Sequence, residues 1–97
     1  STPAAGRQRR ARHALPIAEA LRIIDGLGES ERAVDLNTIR FKCAVPIDVA
    51  EDLLHALESA GVLQREPGKR YRLALAREAI SEEEVVRAVR LAADGTV

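Results

Sequence analysis

The chain has few of the residues that would build a disulfide, a cysteine-held metal centre or an aromatic core. Its 97 residues contain one cysteine, one phenylalanine, one tyrosine, and no methionine or tryptophan. A single cysteine excludes an intramolecular disulfide and a metal or cluster cage made of cysteines alone. Because Phe41 and Tyr71 are the only aromatic residues, the core has to be built from Leu, Ile, Val and Ala.

An excess of one charge and a long apolar run are absent as well. The 15 basic residues are balanced by 15 acidic ones, so bulk positive charge gives no argument for nucleic-acid binding. No run of about 18 apolar residues occurs, and no signal-peptide pattern is present, so we expect a cytoplasmic localisation. The length predicts one domain, over 14–95, after a disordered basic tail over 1–13.

The most informative stretch runs over 45–75 and predicts a helix followed at once by a β-hairpin. Pro46 suits the first turn of a helix, where its missing N–H costs no hydrogen bond, and Asp48 can accept from the free amides there. Apolar residues recur at helical spacing over 46–60, and Gly61 ends the helix because glycine takes the left-handed conformation freely. The outward face of this helix is acidic and carries Asp48, Glu51, Asp52, His55 and Glu58.

The hairpin is predicted from two alternating segments, over 62–65 and 70–75, with a tight turn between them. Proline followed by glycine at the centre of the turn, at Pro67 and Gly68, suits a type II turn. Side chains of a strand alternate between its two faces. Tyr71, Leu73 and Leu75 are expected on one face, and Arg70 and Arg72 on the other.

Three further helices are predicted from apolar periodicity, over 14–27, 35–43 and 80–93. The last one opens with a capping box, because Ser81 and Glu84 are spaced so that each side chain can accept from the other's amide. Its stripe of valine and alanine packs on the first helix or, alternatively, forms the seam of a homodimer. The predicted fold class is α+β, mainly helical with a small β-hairpin.

Single residues around the helix over 35–43 carry further predictions. Asp35 is the expected N-cap of that helix, and a very short strand is expected just before it, at 33–34. Cys43 faces inward, as a small buried hydrophobic residue or as a redox-active thiol. Phe41 faces outward, which is ordinary for one aromatic residue or marks a contact surface.

The run LLHALESAGVLQREPGKRYRLA resembles a pattern common in bacterial winged helix-turn-helix transcription regulators. Its continuation, YRLALAREAISEEEVVRAVR, is similar to the IscR-type repressors. This resemblance covers 36–92 and implies a three-helix core, a two- or three-stranded wing and a C-terminal helix. Those regulators often bind an iron–sulfur cluster, but only Cys43 is present here, so no cofactor carries over. The chain also resembles the winged helix that forms the cytoplasmic tail domain of some BrkB/ribonuclease-BN-like membrane proteins. This second resemblance implies a membrane-anchored parent protein.

The first functional hypothesis is a DNA-binding module of a bacterial transcription regulator. In such modules the second helix of the motif enters the major groove while flanking cations hold phosphates. The chain departs from the pattern of these regulators at two positions. Arg40 stands where they usually have a small residue, and Ala44 stands where they usually have the turn glycine. The tail over 1–13 touches phosphates or lipid headgroups, or is a solvated end. The residues assigned to double-stranded DNA are Arg40, Lys42, Lys69, Arg70, Arg72, Arg9, Arg10 and Arg12.

The alternative is a winged helix that binds a protein partner or regulates a larger protein, such as the cytoplasmic C-terminal domain of a BrkB/ribonuclease-BN-like inner-membrane protein. Several carboxylates facing a polyanion lower the affinity for it, which argues against a major-groove role for the helix over 46–60. Exposed charges are also the norm on any small domain. The residues assigned to a protein partner are Asp48, Glu51, Asp52, His55 and Phe41.

Signals for catalysis are weak. Glu51 and His55 have the i, i+4 spacing that can place two metal ligands on one helix face, although a solvated helix face has the same pattern. The sequence contains no nucleophile elbow, phosphate-binding loop or dinucleotide fingerprint. We therefore expect no enzyme activity from the chain by itself, and no metal.

Overall fold

The computed structural model describes residues 16–93, so the predicted tail over 1–13 lies outside the described part. Within 16–93 the fold is α+β, with four α-helices and a small three-stranded antiparallel sheet. None of these helices is long and apolar enough to cross a membrane. In chain order the elements are α1 (Ile17–Gly28), β1 (Val34–Asp35), α2 (Leu36–Cys43), α3 (Ile47–Ser59), β2 (Leu63–Glu66), β3 (Arg70–Leu73), a 3-10 turn (Arg77–Ala79) and α4 (Glu82–Ala93).

The sheet contains the predicted hairpin and one additional strand. Strands β2 and β3 pair antiparallel, and the pair Leu63–Leu73 closes the base of the hairpin. Strand β1 pairs with the other edge of β3 through Val34 and Tyr71, which gives the order β1-β3-β2. The short strand predicted at 33–34 is therefore present, one residue further along the chain.

The tip of the hairpin is a three-residue loop between the paired residues Glu66 and Arg70. Gly68 has a φ of 84°, the left-handed value that suits glycine at the third position of a type II turn. Lys69 follows with a φ of 55°, a conformation that is uncommon for a residue with a Cβ. Its carbonyl accepts a hydrogen bond from the Leu36 amide (3.0 Å), which ties the loop to the start of α2.

The prediction that the return strand continues to Leu75 is wrong. Strand β3 ends at Leu73, and Leu75 is 44% exposed. The strand ends there because its partner strand begins at Leu63, directly opposite Leu73. A last backbone hydrogen bond runs from the Ala74 amide to the Val62 carbonyl (2.9 Å), and the chain then turns away.

Helix α3 lies at the centre of the core, where it packs against α2, α4 and β2. Leu53, Leu54 and Leu57 on this helix have no exposed surface. Burying each such side chain is worth about 1.5–3 kcal/mol relative to leaving it in water. Helix α1 packs on α2 and α4 and adds Ile23 and Ile24, which are also fully buried, to the core.

Two predicted caps define where helices begin. The Thr38 amide donates to the Asp35 Oδ2 atom (3.2 Å), which confirms Asp35 as the N-cap of α2. The capping box of α4 is also confirmed, because the Glu84 amide donates to Ser81 Oγ (3.2 Å) and the Ser81 amide donates to Glu84 Oε1 (3.1 Å). Each cap satisfies amides that a helix start leaves without an intrahelical partner.

Candidate interaction surface on the third helix

One side of α3 is less buried than the rest and forms the candidate surface. At 3.6 residues per turn its five residues span an arc of roughly 100°. Ile47 is 44% exposed, and the other four are half-buried. We call this side the open face of α3. It consists of Ile47, Asp48, Glu51, His55 and Glu58.

The prediction that Asp52 belongs to this outward face is wrong. Asp52 is 4% exposed, whereas Asp48 and Glu51 beside it are half-buried. Its position lies one step around the helix from Asp48, toward the fully buried Ala56, so the packing that covers Ala56 covers Asp52 too. A buried carboxylate has no surface to offer a partner, and Asp52 is therefore removed from the protein-contact set.

A cleft of about 140 Å³ separates α3 from the hairpin. On its α3 side stand Glu51 and Glu58, and on its hairpin side stand Arg65 and Lys69. Within residues 16–93, no hydrogen bond or ion pair joins either glutamate to either cation. The remaining residues that line the cleft are Leu36, His55 and Tyr71.

The cations predicted to bind DNA lie in two places. Lys42 is exposed on α2, and Lys69 and Arg70 are exposed at the hairpin tip. Arg70 Nε donates to the Pro67 carbonyl (3.0 Å), which holds the side chain against its own loop. Arg72 Nη1 contacts Glu66 Oε2 at 3.2 Å, and that ion pair reduces the charge Arg72 can offer a phosphate. The predicted Arg9, Arg10 and Arg12 lie outside the described residues.

Arg40 and Phe41 occupy the end of α2, beside the turn into α3. The Arg40 guanidinium lies 5.0 Å from the centre of the Phe41 ring, within cation–π range. Phe41 is 75% exposed, as predicted. Ala44, in the turn, has a φ of 54°, so it adopts the left-handed conformation that a glycine would take at lower cost.

Exposed apolar residues cluster in sequence around this turn. Phe41, Ala44 and Pro46 are exposed, and Ile47 begins the open face of α3. We call these four residues the turn patch. It places apolar surface directly before the carboxylates of the open face along the chain.

Two residues of this surface are missing from the sequence-based site, Arg65 and Ile47. Arg65 lies on β2 and is exposed at the edge of the cleft. Leu63 begins this strand and is buried, so strict alternation would place Arg65 inward as well. Periodicity alone therefore did not reveal the exposure of Arg65. Ile47 follows a proline at the start of a helix, a position that gives little indication of burial.

Cys43 and the acidic residues show little sign of redox or metal chemistry. Cys43 is 6% exposed, and burial raises the pKa of its thiol above the ordinary value. A buried thiol that stays protonated is a weak nucleophile, so the inward, hydrophobic interpretation of Cys43 is confirmed. In the part of the chain that the structure describes, no group of three or more His, Cys, Asp or Glu residues is placed to hold a metal ion.

The stripe on α4 that suggested a homodimer is covered within the chain itself. Val85, Ala88, Val89 and Ala92 are buried, because α4 packs across α1 and α3. A dimer through α4 would have to use its other side, where Leu91 is 41% exposed. The homodimer stays a prediction, and the packing on α1 is confirmed.

Comparison of the chain with protein-family models, with curated proteins and with solved structures gave no match. The assignment of a function therefore depends on the chemistry of the surface described above.

Proposed function

We propose that the chain is a winged-helix domain that acts as a protein-interaction or regulatory module of a larger protein. The order of elements supports the winged-helix part of this proposal. A helix and a short strand precede two helices joined by a tight turn, and a hairpin follows, with the strand order β1-β3-β2. This order is consistent with the three-helix core, wing and C-terminal helix that the resemblance to bacterial winged helices implies.

The acidity of the open face of α3 is the observation that carries the functional part. In a DNA-binding winged helix the corresponding helix enters the major groove and lies between two phosphate backbones. Here that face carries Asp48, Glu51 and Glu58, and neither glutamate has a neutralising ion pair within 16–93. Repulsion from the phosphates would oppose insertion, and desolvating the carboxylates would add to that cost.

The same surface favours a basic segment of a protein. Carboxylates bind arginine through paired, charge-assisted hydrogen bonds, and the adjacent turn patch offers Phe41 and Ile47 to apolar side chains of the same segment. Exposed aromatic residues contribute strongly at protein interfaces. The partner class is thus an arginine-rich segment with interspersed apolar residues.

The resemblance to the cytoplasmic tails of BrkB/ribonuclease-BN-like membrane proteins supports a setting for this role. As part of such a parent protein, the domain would present its acidic surface next to a membrane. The proposal assigns no enzyme activity to the domain.

The test is a calorimetric titration of the full chain with a synthetic arginine-rich peptide at low salt. Glu51→Lys combined with Glu58→Lys reverses the open face and should abolish binding. Glu29→Lys combined with Glu31→Lys makes the same change of charge at exposed loop positions and should leave binding intact. Equal loss in both double variants, or no binding by the unaltered chain, would refute the proposal.

A second candidate, DNA binding through the hairpin, is favoured by one observation. Arg65, Lys69 and Arg70 are all exposed on the hairpin, where a wing could hold phosphates without help from α3. Phosphate contacts make affinity fall steeply between about 50 and 200 mM salt. If the hairpin binds duplex DNA, Lys69→Glu combined with Arg70→Glu should abolish binding, whereas an undetectable affinity at low salt would exclude this candidate.

A further inference from the structure

We propose that the arginine-rich segment over 7–12, RQRRAR, docks on the open face of α3 in the same molecule. The chain would then shield its own acidic surface until a partner displaces the segment. This inference uses the acidic surface of the proposed function, but it concerns the chain's own segment and needs no external partner.

The open face differs from the other acidic sites of the described surface. Three carboxylates elsewhere have arginine partners within the chain, and the pairs are Glu19 with Arg22, Asp25 with Arg77 and Glu66 with Arg72. Other carboxylates, such as Glu29 and Glu31, are exposed to solvent. By contrast, Glu51 and Glu58 have no ion pair within 16–93, although both are half-buried. Half-buried carboxylates interact more strongly with a cation than fully solvated ones do, since the surrounding dielectric is lower.

The segment has the complementary composition. Residues 7–12 include arginine at four positions and no acidic residue. A guanidinium can bridge a carboxylate with two hydrogen bonds and stack on an aromatic ring, and the cleft offers both kinds of group through Glu51, Glu58 and Tyr71. Because Arg65 and Lys69 border the hairpin side of the cleft, the segment should lie along α3 rather than under the hairpin.

The segment also has a long reach from the start of α1. It is joined to α1, which begins at Ile17, through the few residues over 13–16. An extended chain advances about 3.3–3.6 Å per residue, so Arg9 can lie up to about 24 Å from Pro16. That reach is comparable with the two shorter dimensions of the molecule, 26 and 23 Å.

A spin label attached to the full chain tests the contact directly. Ala5→Cys introduces a thiol just before the segment, and buried Cys43 should stay unlabelled, which the unaltered chain treated with the same reagent will verify. We expect the label to broaden the amide signals of Glu51, His55 and Glu58 in the NMR spectrum. Signals of Glu29 and Glu31, in an exposed loop, serve as the internal reference.

Three controls decide the outcome. The broadening should disappear with Glu51→Lys plus Glu58→Lys and persist with Glu29→Lys plus Glu31→Lys. It should also be absent when a labelled chain without ¹⁵N is mixed with an unlabelled ¹⁵N chain. Broadening in the mixed sample would mean contact between two molecules, and absence of broadening in the labelled chain would mean no contact; either result overturns the proposal.

Competition separates this inference from the proposed function. Replacing Arg9, Arg10 and Arg12 with glutamine should tighten binding of the arginine-rich peptide by at least about threefold, the change expected if the segment occupies about two thirds of the molecules. The matched control replaces Arg32, Arg87 and Arg90, which are exposed, and should leave the affinity unchanged. Equal peptide affinity in all three chains would overturn the docking while leaving the proposed function standing.

Discussion

The open face of α3 and the hairpin border the same cleft with opposite charges. On one side Glu51 and Glu58 are half-buried on a helix that packs against α2, α4 and β2. On the other side Arg65 and Lys69 are exposed on a hairpin with a three-residue tip. The comparison teaches that a balanced net charge can hide two separated surfaces, and that each surface selects its own class of partner.

The largest expected difference between the two regions is in stability. Leu57 on α3 has no exposed surface, so Leu57→Ala should lower the free energy of unfolding by about 2–5 kcal/mol through lost burial and a residual cavity. Gln64 on β2 is exposed, and Gln64→Ala should change the free energy of unfolding by less than about 0.5 kcal/mol. Urea unfolding of both variants measures the difference, and similar midpoints would show that α3 is not the packed region.

A smaller effect is expected at the hairpin tip, from backbone conformation alone. Gly68 has a φ of 84°, and a Cβ added there would meet Arg70 Nε at 3.8 Å, an ordinary contact. Gly68→Ala should therefore cost about 1–2 kcal/mol of unfolding free energy from left-handed strain. Lys69→Gly, at a φ of 55°, should instead leave stability unchanged or raise it. Thermal unfolding of the pair checks the sign, and destabilisation by both would point to side-chain contacts of Lys69.

The smallest effect concerns the junction between the sheet and α2. Hydrogen bonds from the Thr38 hydroxyl and amide lower the pKa of Asp35 below its ordinary value of 3.8. Because the folded-state pKa is depressed, the stabilisation is present above pH 3.8 and is lost as the pH falls through the folded value.

Melting temperatures across this pH range test the assignment. The unaltered chain should have a higher melting temperature than the Asp35→Asn variant at neutral pH. The two melting temperatures should converge as the solution is acidified. Thr38→Val should flatten the same pH dependence by removing the hydroxyl donor. A gap between the chain and Asp35→Asn that stays constant with pH would mean that the carboxylate charge plays no part in the cap.

Local signals explain how much of the fold could be predicted from the sequence. Gly61, Asp35 and the Ser81–Glu84 pair each act within a few residues, so the ends of the helices follow from the sequence to within a few positions. The hairpin follows for the same reason, because proline and glycine at 67–68 determine where the chain reverses.

Features that depend on distant packing could not be predicted. Asp52 shares a helix with Glu51, and its burial depends on how neighbouring elements cover that side of α3, which periodicity does not encode. The extent of β3 was overestimated at Leu75, since a strand ends where its partner ends and not where alternation stops. The cleft has Glu51 on α3 and Arg65 on β2 as opposite walls. Because these residues belong to different elements, no spacing in the sequence indicates that they border one cleft.

The most direct measurement compares two ligands on one protein under one low-salt condition. Full-length chain is titrated with the arginine-rich peptide and with a short DNA duplex, before and after Glu51→Lys plus Glu58→Lys. The acidic open face predicts that the unaltered chain prefers the peptide and that the double variant prefers DNA. Tighter binding of DNA by the unaltered chain, with a steep decrease as salt is added, would contradict the central claim.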